Sequence, residues 1–387
     1  MTADVARPRR RALRSVLVVL GTVLAAIGVG ALVKTLWNPS VSLLPPRVER
    51  RVPTGSVVTV VLGGDFAPTD AAMPIIRRRG YRYPYLATAS IFREADVAFA
   101  NLESPVTEST DAFWPWKDYI YRVEPEAIEA WQWLGLDVVS LANNHIIDYR
   151  ARGVHDTLEH LRGARLAQIG AGRDEAEARR PVIFDVGGTK IGLLAYLEHR
   201  AAFDLYLDTF AVGGDAGCAQ LNRADVEEDV RRLRPLVDVL VVSVHWGDNY
   251  APLNGTQEHY GRVLAELGVD VVAGHHPHIA HPVEWIGRTL VLYSLGNYAW
   301  GTPGSNDLKF GLIARLAIRP RRGGRRGAIE AVDLLPIATQ NREIHFQPRP
   351  LRHDEMTWLD PLIADSRARG TELTRVGNQL RVELPAE

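Results

Sequence analysis

Five short apolar runs, each followed directly by polar residues, stand out in the hydrophobic pattern of the chain. They are rich in β-branched residues and predict buried β-strands. The runs lie at 56–62, 96–100, 137–141, 237–244 and 269–273. Between them, apolar residues recur at helical spacing at 124–134, 153–162, 223–233 and 256–267. Strands that alternate with helices predict an α/β core.

Three further pairs of apolar runs are typical of hairpins. They lie at 181–185 with 190–196, 282–286 with 289–293, and 310–318 with 327–335. Added hairpins favour two sheets over one doubly wound sheet. We therefore expect one folded domain at 56–345. Residues 346–387 are expected to form a C-terminal helix and a short strand that pack on this domain.

The N-terminal segment predicts a membrane anchor. Residues 15–33 carry no charge, and at about 1.5 Å per residue they span about 28 Å, close to the hydrocarbon core of a bilayer. We assign 15–37 to a transmembrane signal anchor. The arginine-rich residues 1–14 favour a cytoplasmic basic tail. A cleaved signal peptide and a buried helix are the alternatives.

A proline-rich stretch at 38–55 predicts an extended linker between membrane and domain. The expected location is therefore the cell membrane, with a single span and an extracytoplasmic C-terminal domain. Over its 387 residues the chain is 46% hydrophobic and 24% charged, as in ordinary globular proteins. Its net charge of -1 suggests no nucleic-acid partner. Cys218 is the single cysteine, so an intrachain disulfide and cysteine metal ligation are not expected.

Polar residues suited to metal binding follow each of the five predicted strands. Gly274–His278 carries three histidines directly after the last of them. Alone, that cluster fits either a metal site or hydrogen-bonded loop histidines. In an extended segment, His276 and His278 would point the same way. The other strand ends supply Asp65, Asn101 or Glu103, Asn144 with His145, and His245. Carboxylate, amide and imidazole together suit Mn, Fe, Zn or Mg, as one or two ions.

These segments resemble the CapA family of poly-gamma-glutamate capsule biosynthesis proteins. The matching segments are Gly64-Asp65, Asn101-Leu102-Glu103, Ala142-Asn143-Asn144-His145 with Asp148, His245-Trp246-Gly247, Gly274–His278 and Tyr293–Tyr298. The family resembles a divergent branch of the calcineurin-like metallophosphoesterases. The resemblance implies a four-layer α-β-β-α sandwich with its site at the strand ends.

The resemblance also implies roles for individual residues. The implied metal ligands are Asp65, Glu103, Asn144, His245, His276 and His278, with Glu103 in the place of a bridging aspartate. His145 is the implied general acid or oxyanion stabiliser, and Asp148 would orient it. Asn101, His275 and Asn297 are assigned to substrate binding, with His275 supporting the two ligands that follow it.

Two positions depart from the pattern that the resemblance implies. Ala67 stands where metallophosphoesterases carry a histidine, so one ligand of the first metal is missing. Asn249 stands where a glutamate is expected after His-Trp-Gly, which suggests an altered substrate side.

Three functions follow as hypotheses. The first is a membrane-anchored, metal-dependent hydrolase or transferase that acts on poly-gamma-glutamate or a related anionic polymer of the cell envelope. The second is a non-catalytic accessory subunit that holds or exports the polymer beside membrane synthase subunits, which Ala67 favours. The third is a generic extracytoplasmic metallophosphodiesterase.

Overall fold

The computed structural model of the chain describes residues 47–50, 55–112, 117, 119–201, 209–302, 309–320 and 327–385. The predicted basic tail at 1–14, the predicted anchor at 15–37 and most of the predicted linker lie outside these residues. Within the described part of the chain, no helix is long and apolar enough to cross a membrane.

The strands of the described residues include all five that the apolar runs predict. In chain order they are β1 (Arg47–Arg50), β2 (Val58–Ala67), β3 (Val97–Leu102), β4 (Val138–Ser140), β5 (Ala167–Ile169), β6 (Ala171–Gly172), β7 (Val182–Val186), β8 (Thr189–Glu198), β9 (Gly217–Cys218), β10 (Gln220–Leu221), β11 (Val239–His245), β12 (Val271–His275), β13 (Val283–Ile286), β14 (Thr289–Leu292), β15 (Asn297–Trp300), β16 (Phe310–Arg319), β17 (Ala328–Ala338), β18 (Arg349–Pro350), β19 (Leu373–Val376) and β20 (Gln379–Val382).

The four predicted helices are also present, within three residues of their expected ends. The helices are α1 (Met73–Arg79), α2 (Ala89–Arg93), α3 (Ala127–Leu134), α4 (Arg150–Gly163), α5 (Glu175–Ala178), α6 (Arg223–Leu233), α7 (Gly255–Glu266), α8 (Asn341–Ile344) and α9 (Asp360–Ala368). Side chains cap two of the long helices: Asn222 accepts the amide of Asp225 at α6, and Asn254 forms a capping box with Gln257 at α7.

The strands form two large mixed sheets, which confirms the predicted α/β class and the expectation of two sheets. The first sheet runs in the order β1-β7-β8-β11-β12-β14-β13, with β10 also paired to β8. The second runs β19-β20-β17-β16-β2-β3-β4-β5, with β15 paired to β2 and β18 to β17. In the first, β8, β11, β12 and β14 are parallel neighbours, and in the second β2, β3, β4 and β5 are.

Two apolar clusters show how these layers pack. Side chains alternate along β11, so that Val242 faces α6 and α7 through Val230 and Leu264. Val241, on the opposite face of β11, belongs to a larger cluster that includes Leu62 of β2. That cluster joins residues of both sheets with α3 and α4. The fold therefore places the parallel strands of each sheet within one shared core.

Three local expectations differ from the structure. The strand β2 continues through Gly63-Gly64-Asp65 to Ala67, because Asp65 pairs with Asn101 of β3. Part of the predicted linker, Arg47–Arg50, is a strand paired in parallel with β7. The C-terminal region contains α9 followed by the hairpin β19–β20, rather than one strand, and β20 pairs with β17.

Candidate metal centre

The carboxyl ends of the parallel strands from both sheets meet at one place. Asp65 and Asn101 are paired at the ends of β2 and β3, and His245 and His275 are paired at the ends of β11 and β12. The close approach requires glycine beside these residues. A Cβ on Gly64 would lie 2.0 Å from the Gly296 carbonyl oxygen, so no larger residue fits there without displacing backbone.

The meeting point contains two overlapping triads of metal-ligating side chains. Glu103, His245 and His276 form one, and Asp65, Glu103 and His278 form the other. Within each triad, one ligand atom per residue lies within 4.8 Å of the others, and all five residues are buried. Glu103 belongs to both, as a residue that bridges two ions would. The structure thus brings together five of the six predicted ligands.

The sixth predicted ligand, Asn144, lies beside the first triad. Its Oδ1 atom is 2.9 Å from His245 Nε2. The preceding residue, Asn143, shapes the loop that presents it. Asn143 Oδ1 accepts the amide N–H groups of His145 and Ile146, and its Nδ2 donates to the Leu102 carbonyl oxygen at 2.8 Å. A pair of asparagines after a strand is a turn signal, and the sequence favours a turn-forming role for Asn143 over metal ligation.

Glu103 is the residue that most strongly indicates a bound cation. Both of its carboxylate oxygens are buried and have no hydrogen-bond partner among the described residues. Burial, followed by the charge of Asp65, raises the pKa of Glu103 well above its usual range. Burying a carboxylate without partners is costly, and a divalent cation would supply the missing partner. The residues present therefore fit a metal.

The imidazoles of the triads are held in the neutral form that binds metals. Burial lowers the pKa of His245 and His276 well below the usual histidine range, and it also lowers the pKa of His278. The pKa of Asp65 is also lowered, but by different causes. Burial would raise its pKa, but the hydrogen bond from His275 and the charges of nearby histidines lower it to about 2. At neutral pH, Asp65 is therefore ionised, and His245, His276 and His278 are unprotonated.

The histidine cluster is not extended, which corrects the expectation that His276 and His278 point the same way. The strand β12 ends at His275, and the next two histidines have φ of 95° for His276 and 60° for His278. Non-glycine residues rarely adopt such conformations, which often mark functional sites. The turn sends His276 to the first triad and His278 to the second, with ring centroids 6.2 Å apart.

The three residues assigned to substrate binding are buried and contact the predicted ligands. Asn101 Nδ2 donates to Asp65 Oδ1 at 2.9 Å, and His275 Nδ1 lies 3.0 Å from the same oxygen. Asn297 Oδ1 lies 3.0 Å from His278 Nδ1. In the structure these side chains orient ligands. Their contact with substrate stays a prediction.

His145 lies beside the triads, with the partner that was predicted for it. Its Nδ1 atom is 2.7 Å from Asp148 Oδ2, and Asp148 is fully buried. Lys117, which no motif includes, contacts Asp148 and lies 3.2 Å from His145 Nδ1. Burial and the charge of Lys117 lower the pKa of His145 to about 4. At neutral pH this imidazole is therefore neutral.

Aromatic rings surround Ala67, where the resemblance implies a missing histidine. Ala67, Tyr121 and Trp300 form a small buried cluster. The ring of Tyr121 lies 4.3 Å from that of His145, and the ring of Trp300 lies 4.4 Å from that of His278. The side of the centre next to Ala67 is therefore closed by packing against the two histidines, and Ala67 offers no ligand atom there.

Comparison with known proteins agrees with the geometry. Residues 59–302, more than half of the chain, match the family model described as bacterial capsule synthesis protein PGA_cap. The PGA biosynthesis protein CapA of Bacillus subtilis (strain 168) is 29% identical over 254 residues, which cover 63% of each chain. The capsule biosynthesis protein CapA of Bacillus anthracis is 25% identical over 276 residues, covering 70% of this chain and 65% of that one.

A probable polyglutamine synthesis accessory protein of Mycobacterium tuberculosis is 30% identical over 230 residues, covering 56% of this chain and 59% of that one. These matches span less than two thirds of the length of each relative. The crystal structure of TT1561 of Thermus thermophilus overlaps 67% of this chain and 94% of its own, at a TM-score of 0.37 and 8% identity, too weak a likeness to support the fold. On the family match over residues 59–302, the chain belongs to the PGA_cap family of bacterial capsule synthesis proteins.

Proposed function

We propose that the protein is a metal-dependent hydrolase or transferase of capsule polymer biosynthesis or export, with an extracytoplasmic anionic polymer such as poly-gamma-glutamate as its substrate. The observation that carries this proposal is the position of Glu103, whose carboxylate is buried, accepts no hydrogen bond among the described residues and is shared by two ligand triads. The names of the Bacillus relatives support the capsule context. The packing of both sheets in one core supports a four-layer α-β-β-α sandwich like that of metallophosphoesterases.

The proposed chemistry depends on a divalent ion and on one neutral histidine. When bound by the two triads, Mn, Fe, Zn or Mg would supply Lewis acidity and lower the pKa of a water molecule. His145 keeps Nδ1 at Asp148, which leaves Nε2 as its proton acceptor. Because it is neutral, His145 would first accept the proton of the attacking water and then transfer it to the leaving group.

We also propose that residues 15–37 anchor the protein in the cell membrane, with the domain outside the cytoplasm. The basic residues of 1–14 and the uncharged run that follows support this proposal. Membrane synthase subunits would then be neighbours in the same membrane. Intact-mass analysis of the protein from its native membrane tests the anchor, since a mature N-terminus near residue 38 would show a cleaved signal instead.

A non-catalytic accessory role is the second candidate, and Ala67 is the observation that favours it. With no ligand atom at that position, the second triad offers three ligands from Asp65, Glu103 and His278. Such a site could hold an ion without turning over a substrate. The Mycobacterium relative, whose name includes an accessory role in polyglutamine synthesis, is compatible with this interpretation.

One assay separates these functions. The full-length chain, purified in detergent with Mn²⁺, is incubated with poly-gamma-glutamate and with bis(p-nitrophenyl) phosphate. The matched variants are Glu103→Gln and Glu159→Gln, the latter on the exposed face of α4. We expect the wild type and Glu159→Gln to cleave the polymer and Glu103→Gln to lose this activity. Phosphodiester turnover without polymer cleavage would indicate a generic phosphodiesterase. Polymer binding without turnover in any variant would indicate an accessory subunit.

A further inference from the structure

Lys117 lies at the centre of a group of contacts that no sequence motif includes. Its Nζ atom donates to the Asn144 carbonyl oxygen at 2.6 Å and to Asp148 Oδ1, and it lies 3.2 Å from His145 Nδ1. The side chain is 19% exposed, so most of it is enclosed by these partners. An ammonium group has three N–H donors and no acceptor. Two of the three donors of Lys117 are therefore used by Asn144 and Asp148.

Asp148 is the residue through which Lys117 reaches His145. One carboxylate oxygen, Oδ1, accepts from Lys117. The other, Oδ2, accepts the Tyr121 amide N–H at 2.7 Å and lies 2.7 Å from His145 Nδ1. With donors on both oxygens, the carboxylate cannot rotate without losing a charge-assisted hydrogen bond. The contact on Oδ1 thus fixes the oxygen that His145 uses.

Tyr121 completes the enclosure of His145 on the same side. The backbone amide of Tyr121 donates a hydrogen bond to Asp148. The centroid of the Tyr121 ring lies 4.3 Å from that of the His145 ring, at an interplanar angle of 34°. The rings of Tyr121 and Trp300 form an edge-to-face contact, with their centroids 5.5 Å apart. His145 is therefore held from one side by a carboxylate and from another by a ring, and the Tyr121 backbone amide is bonded to the same carboxylate that Lys117 contacts.

We propose that Lys117 is a positioning residue: its ammonium fixes the Asp148 carboxylate and the Asn144 loop, and so holds the His145 imidazole in one orientation with Nε2 free. The effect of this role on turnover rests on the proposed function. Its effect on the hydrogen bond between the Tyr121 amide and Asp148 does not. In Lys117→Met, Asp148 Oδ1 loses this donor, and among the described residues the carboxylate is then held through the Oδ2 contacts with Tyr121 and His145. Lys117→Arg retains the charge and a donor.

The test compares three variants in the full-length protein. Lys190→Met is the matched control, because it removes a lysine at the amino end of β8, opposite the site. Hydrogen exchange by mass spectrometry follows the peptide that contains Tyr121. Calorimetric titration with Mn²⁺ and steady-state kinetics follow the site. If Lys117→Met does not fold, Lys117→Gln takes its place.

We expect exchange at Tyr121 to rise roughly tenfold or more in Lys117→Met, because a charged hydrogen bond in its network is lost. Mn²⁺ stoichiometry stays unchanged, and kcat falls roughly 10- to 100-fold with KM within about twofold. In Lys117→Arg, most of the protection of the Tyr121 amide from exchange should be retained. Lys190→Met should match the wild type in exchange, Mn²⁺ stoichiometry and kinetics.

Two results would overturn the inference. Unchanged exchange at Tyr121 in Lys117→Met removes the positioning role, whatever happens to turnover. A raised KM with unchanged kcat assigns Lys117 to substrate contact instead. If the wild type shows no turnover with any substrate, the proposed function fails, and the exchange measurement still decides the role of Lys117.

Discussion

Ionising Glu103 in its buried position carries an energetic cost in the metal-free protein. Its folded-state pKa is raised by burial, so its contribution to the stability of the metal-free protein is lost as pH rises above about 4.5. Glu103→Gln removes the ionisable carboxyl group, and with it the cost of charging that group. We expect the metal-free variant to be more stable than the wild type at pH 7 by about 1–3 kcal/mol. Urea unfolding with a chelator measures this, and Glu159→Gln should leave stability unchanged. A destabilised Glu103→Gln protein would mean that Glu103 has a structural partner.

Asp65 has the opposite pH dependence. Its pKa falls from 3.8 to about 2 on folding, so it contributes stability above pH 4 that is lost as pH falls through 2. The shift corresponds to about 2 kcal/mol. Between pH 5 and pH 2, the metal-free wild type should therefore lose about 2 kcal/mol more than Asp65→Asn. Parallel pH profiles for the two proteins in chemical denaturation would contradict the contact of Asp65 with His275.

The element on which the histidine turn depends is β12, and Gly274 is its critical residue. A Cβ at Gly274 would lie 2.1 Å from the Tyr293 carbonyl oxygen and 2.7 Å from Trp246 Nε1. Gly274→Ala must therefore displace backbone beside His275. We expect a loss of about 3 kcal/mol or more, as for overpacked cores at their upper end. Thermal unfolding measures the loss.

Gly163→Ala is the matched control for this substitution. Gly163 is the last residue of α4, and a Cβ there would meet no atom within 4 Å. Alanine at this position should be neutral or slightly stabilising, because it removes backbone freedom from the unfolded chain. Equal effects of the two substitutions would show that the close approach at Gly274 is absent.

The strand ends could be predicted from the sequence because their signal is local. An apolar run and the polar residue that ends it are adjacent, and parallel strands bring such ends together. Lys117 could not be predicted, because its contacts with Asp148 depend on how a loop after β3 packs. The same holds for Tyr121 and Trp300 around Ala67. The sequence shows that Ala67 replaces an expected histidine, but it does not show which aromatic rings pack around Ala67.

The C-terminal region shows the same limit. A helix was expected in this region, but α9 and the segment after it are positioned by hydrogen bonds and an ion pair to residues distant in the sequence. The Val283 amide donates to Ser366 Oγ at 3.0 Å, and the Trp285 amide donates to Thr371 Oγ1 at 2.9 Å. Arg369 reaches Glu258 of α7 at 2.7 Å. No pattern within residues 346–387 specifies these partners.

Metal binding should stabilise the fold as a whole, because the ligands lie in strands of both sheets or shortly after their ends. An ion that binds only the folded chain adds about 2.7 kcal/mol when its concentration is about 100 times Kd. We expect Mn²⁺ to raise the unfolding temperature of the wild type by several degrees. His276→Ala should reduce this rise, and Lys190→Met should not. An identical rise in all three proteins would place the ion elsewhere.

We infer that Glu103 binds divalent ions together with ligands from both sheets. The most direct test is the metal content and Mn²⁺ titration of the full-length wild type beside Glu103→Gln and Glu159→Gln. We predict one or two ions per chain in the wild type and in Glu159→Gln, and none in Glu103→Gln. Equal binding by all three proteins, or no binding by the wild type, would contradict the claim.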